Sequence, residues 1–148
     1  LAGTFAVPPD DLLLSDEGYT ILATMGDVLG EFPFLSYTVT DEFAKANGDL
    51  LVRFMRATYL TTQWLFDPAN KDEAIKVLVE KTKMEKRPAE ASYDAYIKQS
   101  ALSKDLVIGE KGMKAVFDLM VDVGDLKPPL PDWRKYLDLS YLEKATRQ

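Results

Sequence analysis

The chain has 148 residues, 47% hydrophobic and 28% charged, with a net charge of -6 at pH 7 and a pI near 4.7, which suits a water-soluble domain with a core of its own. Neither His nor Cys occurs, which removes imidazole and thiolate metal sites, Ser-His-Asp and Cys-His nucleophiles, disulfides and thiol redox chemistry. The acidic balance opposes a nucleic-acid role, which needs clustered Lys and Arg, and the richest basic run, Lys81 to Arg87, is interrupted by acids and reads as a solvated helix end.

The chain opens on Leu1. No charged n-region, apolar h-region or cleavage site precedes the strand-like Phe5 and Val7, so the natural N-terminus and any targeting signal are expected upstream. Pro8-Pro9 predicts a rigid turn, Asp10 to Asp16 one or two helical turns closed by Gly18, and Tyr19 to Thr24 a second strand. Gly26 and Asp27 predict a loop. From Phe32 to Thr40, Phe34, Ser36, Thr38 and Thr40 alternate with Leu35, Tyr37 and Val39, the period of a third strand with one hydroxyl-bearing face. Apolar stretches such as Thr20 to Thr24 fall far short of the roughly 20 residues that span a bilayer.

Beyond residue 40 the period becomes helical. Thr40 followed by Asp41 and Glu42 predicts a capped short helix to Asn47, ended by Gly48. Asp49 to Phe66 predicts a long helix with Leu50, Phe54, Ala57, Thr61 and Leu65 on the core stripe. Asp67-Pro68 ends it, and Asn70 with Glu73 predicts a capping box for a helix burying Ile75, Leu78, Val79 and Thr82. Pro88 suits a first helical position, ahead of Ala91, Tyr93, Tyr96 and Ile97. Glu110 to Val123 carries Met113, Val116, Phe117, Met120 and Val121 at core spacing, with Gly124 as the stop. The proline-rich run from Lys127 predicts an extended surface segment anchored by Trp133, and Ser140 with Glu143 a capping box for a closing helix, Tyr141 to Thr146. No internal repeat is present.

The order of these pieces resembles the C-terminal half of the periplasmic substrate-binding proteins of ABC importers of the aliphatic-sulfonate, nitrate and taurine type. The likeness rests on Pro8-Pro9 before an acidic, leucine-rich turn and Gly18-Tyr19, on Phe43-Ala44-Lys45-Ala46-Asn47 before a long helix ending Gln63-Trp64-Leu65, and on Asp67-Pro68-Ala69-Asn70 before Ala74-Ile75. It continues through Tyr93-Asp94-Ala95-Tyr96, Gly109-Glu110-Lys111-Gly112, Gly124-Asp125-Leu126-Lys127 and Tyr136-Leu137-Asp138-Leu139-Ser140-Tyr141-Leu142. The resemblance implies an α/β fold, the C-terminal portion of a two-lobe binding-protein architecture, helix-rich after residue 40. By it, residues 1–35 end the second lobe with short strands and a helix, 36–40 form a hinge strand, and 41–148 supply the helical part of the first lobe and a C-terminal tail. It further implies a small anionic or polar organic solute held between lobes, a membrane permease as partner, and a location outside the cytoplasm, periplasmic or membrane-anchored. Such proteins are about twice this length, so the apolar helix faces are expected to need the missing N-terminal half or a second copy.

The expected ligand contacts are Pro8 and Pro9, shaping a wall, and Ser36, Tyr37 and Thr38 near the hinge, with hydroxyl or backbone groups. Trp64 and Trp133 are read as core aromatics. The acid pairs Asp10-Asp11 and Asp16-Glu17 are sequence neighbours in exposed turns rather than facing carboxyls, so no catalytic residue, no metal and no cofactor is expected. A different class of function, a stand-alone helical interaction or sensory domain, would use the same apolar faces to hold a partner chain.

Overall fold

Local capping chemistry sets most element boundaries in the computed structural model, which describes residues 2–33, 35–98 and 101–147. Helix α1 (Asp10–Asp16) follows the Pro8-Pro9 turn, whose peptide bond is cis. It ends in a Schellman motif: Tyr19 N–H donates to Leu14 O (3.0 Å) and Gly18 N–H to Ser15 O (3.1 Å), with Gly18 at φ +94°. Helix α2 (Met25–Leu29) stands where Gly26 and Asp27 predict a loop. Thr24 Oγ1 accepts from Asp27 N–H while the Asp27 carboxylate accepts from Thr24 N–H, a capping box that offsets the Gly26 penalty.

Thr40 caps α3 (Asp41–Ala46) through a 3.2 Å bond from Phe43 N–H, as predicted. Gly48 opens α4 (Gly48–Phe66) rather than closing the helix before it. Helices α5 (Lys71–Thr82), α6 (Lys86–Tyr93), α7 (Glu110–Asp122) and α8 (Ser140–Thr146) complete the α-helical set, and a π turn (Asp94–Lys98) extends α6. Gly124 ends α7 as predicted, with Asp125 N–H donating to Met120 O at 2.8 Å. Two predicted capping boxes do not form. Asn70 turns back to donate to Trp64 O, and Ser140 is held through its backbone N–H by Asp138. Pro88 occupies the third helical position of α6, still inside the first turn where its missing N–H costs nothing.

The chain divides into two compact units, one of residues up to Leu22 with Leu60–Leu106, the other of Ala23–Tyr59 with the residues from Val107 on. In the first, α5 and α6 pack through Ala74, Ile75, Ala89 and Tyr93, with Trp64, Leu65, Leu78, Val79, Met84 and Ile97 around them. In the second, Met113 and Phe117 of α7 and Leu142 and Ala145 of α8 are buried. A Cβ on Gly112 would stand 3.0 Å from Pro33 Cδ, so a larger residue there would require that proline to shift by a few tenths of an ångström from α7. Trp64 and Trp133 are each half-buried, Trp133 with Arg134 stacked 4.6 Å above its ring.

Two expectations need correction. The three predicted strands, at Phe5 and Val7, Tyr19 to Thr24 and Phe32 to Thr40, are irregular, and no strand occurs among the described residues; Phe34 lies outside them. Alternation fits a pleated surface, but a strand exists only where a neighbour pairs its backbone, and residues 20–23 and 35–39 pair their backbone groups with nothing among the described residues. The molecule is therefore helix-rich, with no sheet of an α/β fold among the described residues. The second correction concerns α4: of the predicted stripe Leu65 packs on the core, but Leu50, Phe54, Ala57 and Thr61 are exposed, while Leu51, Val52, Met55, Tyr59 and the buried Thr62 are covered positions. The covered stripe is offset from the predicted one by about one residue, a rotation of roughly 100° on a 3.6-residue helix.

Burial is thin relative to mass. The accessible surface is 11107 Å², whereas a folded monomer of 16.6 kDa exposes about 7,600 Å², and two free-standing domains of half that mass about 9,100 Å² together. Leu22, Leu35, Phe5, Val28 and Tyr37 are each more than half exposed.

Ile75 is 4% exposed at the centre of the α5–α6 core, so Ile75→Ala should lower unfolding free energy by about 2–5 kcal/mol in a urea titration. The buried Ser92 hydroxyl has no hydrogen-bond partner. Ser92→Ala should therefore leave stability unchanged or raise it, by up to about 1 kcal/mol.

Candidate functional site

In the first unit, the expected wall residues Pro8 and Pro9 are half-buried, at the start of α1. Asp10 N–H donates to Val7 O at 2.8 Å, and Leu13 N–H to Pro9 O at 3.1 Å, so the turn is continuous with the helix it opens. At the far end of α1 the Asp16 carboxylate takes both prongs of the Arg87 guanidinium, at 2.6 and 2.8 Å. Those bonds hold the Asp16 carboxyl below its ordinary pKa.

A second charged group lies at the π turn. Asp94 accepts from Lys98 at 3.0 Å and from Lys71 at 3.1 Å, and both ammonium groups lower its pKa. Lys71 also stands 5.6 Å from the centroid of the Tyr93 ring, whose hydroxyl donates to Leu65 O at 2.9 Å.

In the second unit, Ser36, Tyr37 and Thr38 are all exposed. The Ser36 and Thr38 hydroxyls lie 3.5 Å apart, at the limit of hydrogen bonding, while Tyr37 meets Phe54 edge to face at 4.9 Å. Period-two alternation thus survives locally: the two hydroxyls share a side and the ring packs elsewhere. Pro8 and Pro9 belong to one unit and Ser36, Tyr37 and Thr38 to the other.

Of the adjacent acids, Asp11 accepts from Leu12 N–H at 2.8 Å, and Asp16 is taken by Arg87. Among the described residues no group of three or more carboxylates is placed to hold a metal ion, and no helix is long and apolar enough to cross a membrane. The two ion-pair clusters are the features sequence reasoning missed. Asp94 and Lys98 carry a readable i, i+4 signal, but Lys71 lies 23 residues before Asp94, and Asp16 lies 71 residues before Arg87.

The chain is similar to "Putative binding protein YtlA" of Bacillus subtilis (strain 168), 27% identical over 128 residues. That stretch is 86% of this chain and 38% of the relative, so the chain spans well under half the length of the curated protein it matches. No family model and no solved structure matches it.

Asp16 and Asp94 titrate below the ordinary aspartate value, about 3.9. Because both are depressed in the folded state, their contribution to stability is present above that value and is lost as pH falls through the lower folded values. Carboxyl NMR titration should place both midpoints below those of free aspartate, and Arg87→Ala should return Asp16 alone toward the ordinary value.

Proposed function

We propose that this chain is part of the solute-binding component of an ABC importer, a protein that encloses a small anionic or polar organic solute and delivers it to a membrane permease outside the cytoplasm. It acts by binding, without catalysis or cofactor. Residues 1–35 belong to one α/β lobe, 36–40 to the hinge, and 41–148 to the other lobe, and the complete protein supplies the sheet that this chain lacks.

The observation that carries this reading is the pair of strand-patterned segments at 20–23 and 35–39, whose backbone groups are unpaired and whose Ile21, Leu22, Leu35, Tyr37 and Val39 side chains are exposed. Such segments are templates for pairing with further strands. The excess of accessible surface, about 2,000 Å² over two free-standing domains, and the exposed Leu50 and Phe54 of α4 point the same way. So does the likeness to a longer protein named as a binding protein. Pro8, Pro9, Ser36, Tyr37 and Thr38 remain the proposed solute contacts.

Hydrogen exchange tests the carrying observation. The amides of 20–23 and 36–39 should exchange freely in the 148-residue chain alone and be protected by orders of magnitude in the intact protein. Calorimetric titration of the intact protein with taurine, ethanesulfonate and nitrate should find one-site binding of at least one of them. A second reading, an interaction domain that holds a partner chain on its apolar faces, rests on the same exposed residues. It takes over if the 148-residue chain runs as a stable monomer with 20–23 and 36–39 unprotected in both forms and no small anion binds.

A further inference from the structure

We propose that Asp16 and Arg87 form a latch that fixes α1, and with it the Pro8-Pro9 turn, against α6, making both positioning residues for the solute wall. The latch itself stands on geometry alone; its role toward a solute rests on the reading above.

Three observations carry it. First, α1 has no fully buried residue, and its Leu12 and Leu14 are only half-buried, so apolar packing anchors it in part. The bidentate bond from Arg87, at 2.6 and 2.8 Å, ties the end of α1 to the first turn of α6. Second, both partners rise from fixed backbone. Asp16 is the last residue of α1, within the Schellman motif, and Arg87 directly precedes the buried Pro88 and Ala89, the latter in the α5–α6 core. A bidentate pair between anchored backbones keeps one geometry at small entropic cost.

Third, each charge stands at the helix end where the helix dipole disfavours it. Asp16 is an acid in the last turn of α1, and Arg87 a base in the first turn of α6, which holds no acid. A carboxylate at a C-terminus and a cation at an N-terminus each weaken their own helix. Neither placement serves its own helix; together they neutralise one another. A seven-residue helix is about 10 Å long, short enough that its orientation at Asp16 sets the position of Pro9 at its other end.

Hydrogen exchange with mass spectrometry on the intact protein, at low and high salt, tests the latch through a sign that local helix stability does not share. Asp16→Asn removes a charge unfavourable to α1, so a purely local role predicts slower exchange of its amides. The latch predicts faster exchange at 10–17, roughly two- to five-fold at low salt, as for an exposed ion pair of good geometry. Arg87→Met should give the same rise, and added salt should bring wild type toward both variants.

The double variant Asp16→Arg/Arg87→Asp should restore wild-type protection or exceed it, since each charge then also suits its helix end. Unchanged or slower exchange in Asp16→Asn overturns the latch. So does failure of the double variant to restore protection, or an equal rise across residues 71–82. Taurine, ethanesulfonate and nitrate affinities of the same proteins separate the two claims. If none binds to wild type while the exchange pattern holds, the latch stands and the solute reading falls. If one binds and Arg87→Met loosens α1 with no loss of affinity, the positioning role is overturned.

Discussion

Ala89 is fully buried and Ala74 nearly so, and the contact of α5 with α6 at these two small residues is the constraint around which the first unit is organised. Small side chains there leave room for Ile75 and Tyr93 to fill the space on either side, with Trp64, Leu65 and Met84 closing the periphery. Tyr93 does more than pack. Its hydroxyl donates to Leu65 O in the last turn of α4, and Asn70 Nδ2 donates to Trp64 O, which also accepts from Asp67 N–H, so the carbonyls at the helix end are satisfied from later in the chain. The end of α4 is thereby tied to the same packing that positions Arg87 and the π turn.

Away from that contact the molecule is sparsely buried. Met113, Phe117, Leu142 and Ala145 are the buried apolar side chains of the second unit, while Val28, Leu35 and Tyr37 of the same unit are widely exposed. An apolar side chain left in water forfeits roughly 1.5–3 kcal/mol relative to full burial, so covering several of these groups in a larger assembly is strongly favoured. The hydroxyls of Ser36 and Thr38 lie in this same uncovered segment.

Charge in this protein orders helix ends and surface turns. Asp94 neutralises two lysines at the π turn, Asp16 is held by Arg87, and Asp27 and Asp132 accept backbone bonds at the starts of short helical turns. Each carboxylate whose pKa is lowered has a hydrogen-bond donor that accounts for it, and none of these sites is substantially buried. That pattern belongs to a scaffold that orders its surface turns, in keeping with an acidic chain that has neither histidine nor cysteine.

Several outcomes decided by local interactions were legible in the sequence, although the predicted boxes at Asn70 and Ser140 do not form. The Thr40 cap, the stops at Gly18 and Gly124, and the buried pair Met113 and Phe117 follow from side chains within a turn or two of one another. The Thr24–Asp27 capping box was equally local, and went unread because Gly26 signals a loop more loudly than a capping pair signals a helix. Tertiary structure alone decided the rest. Which stripe of α4 is covered depends on what packs against it, and Leu50 and Phe54 lost to Leu51 and Met55 although both stripes are apolar. Alternation at 19–24 and 35–40 states a preference for a pleated surface but cannot supply the neighbouring backbone that makes a strand. The bond between Asp16 and Arg87 joins residues 71 positions apart, and no periodicity reaches that far.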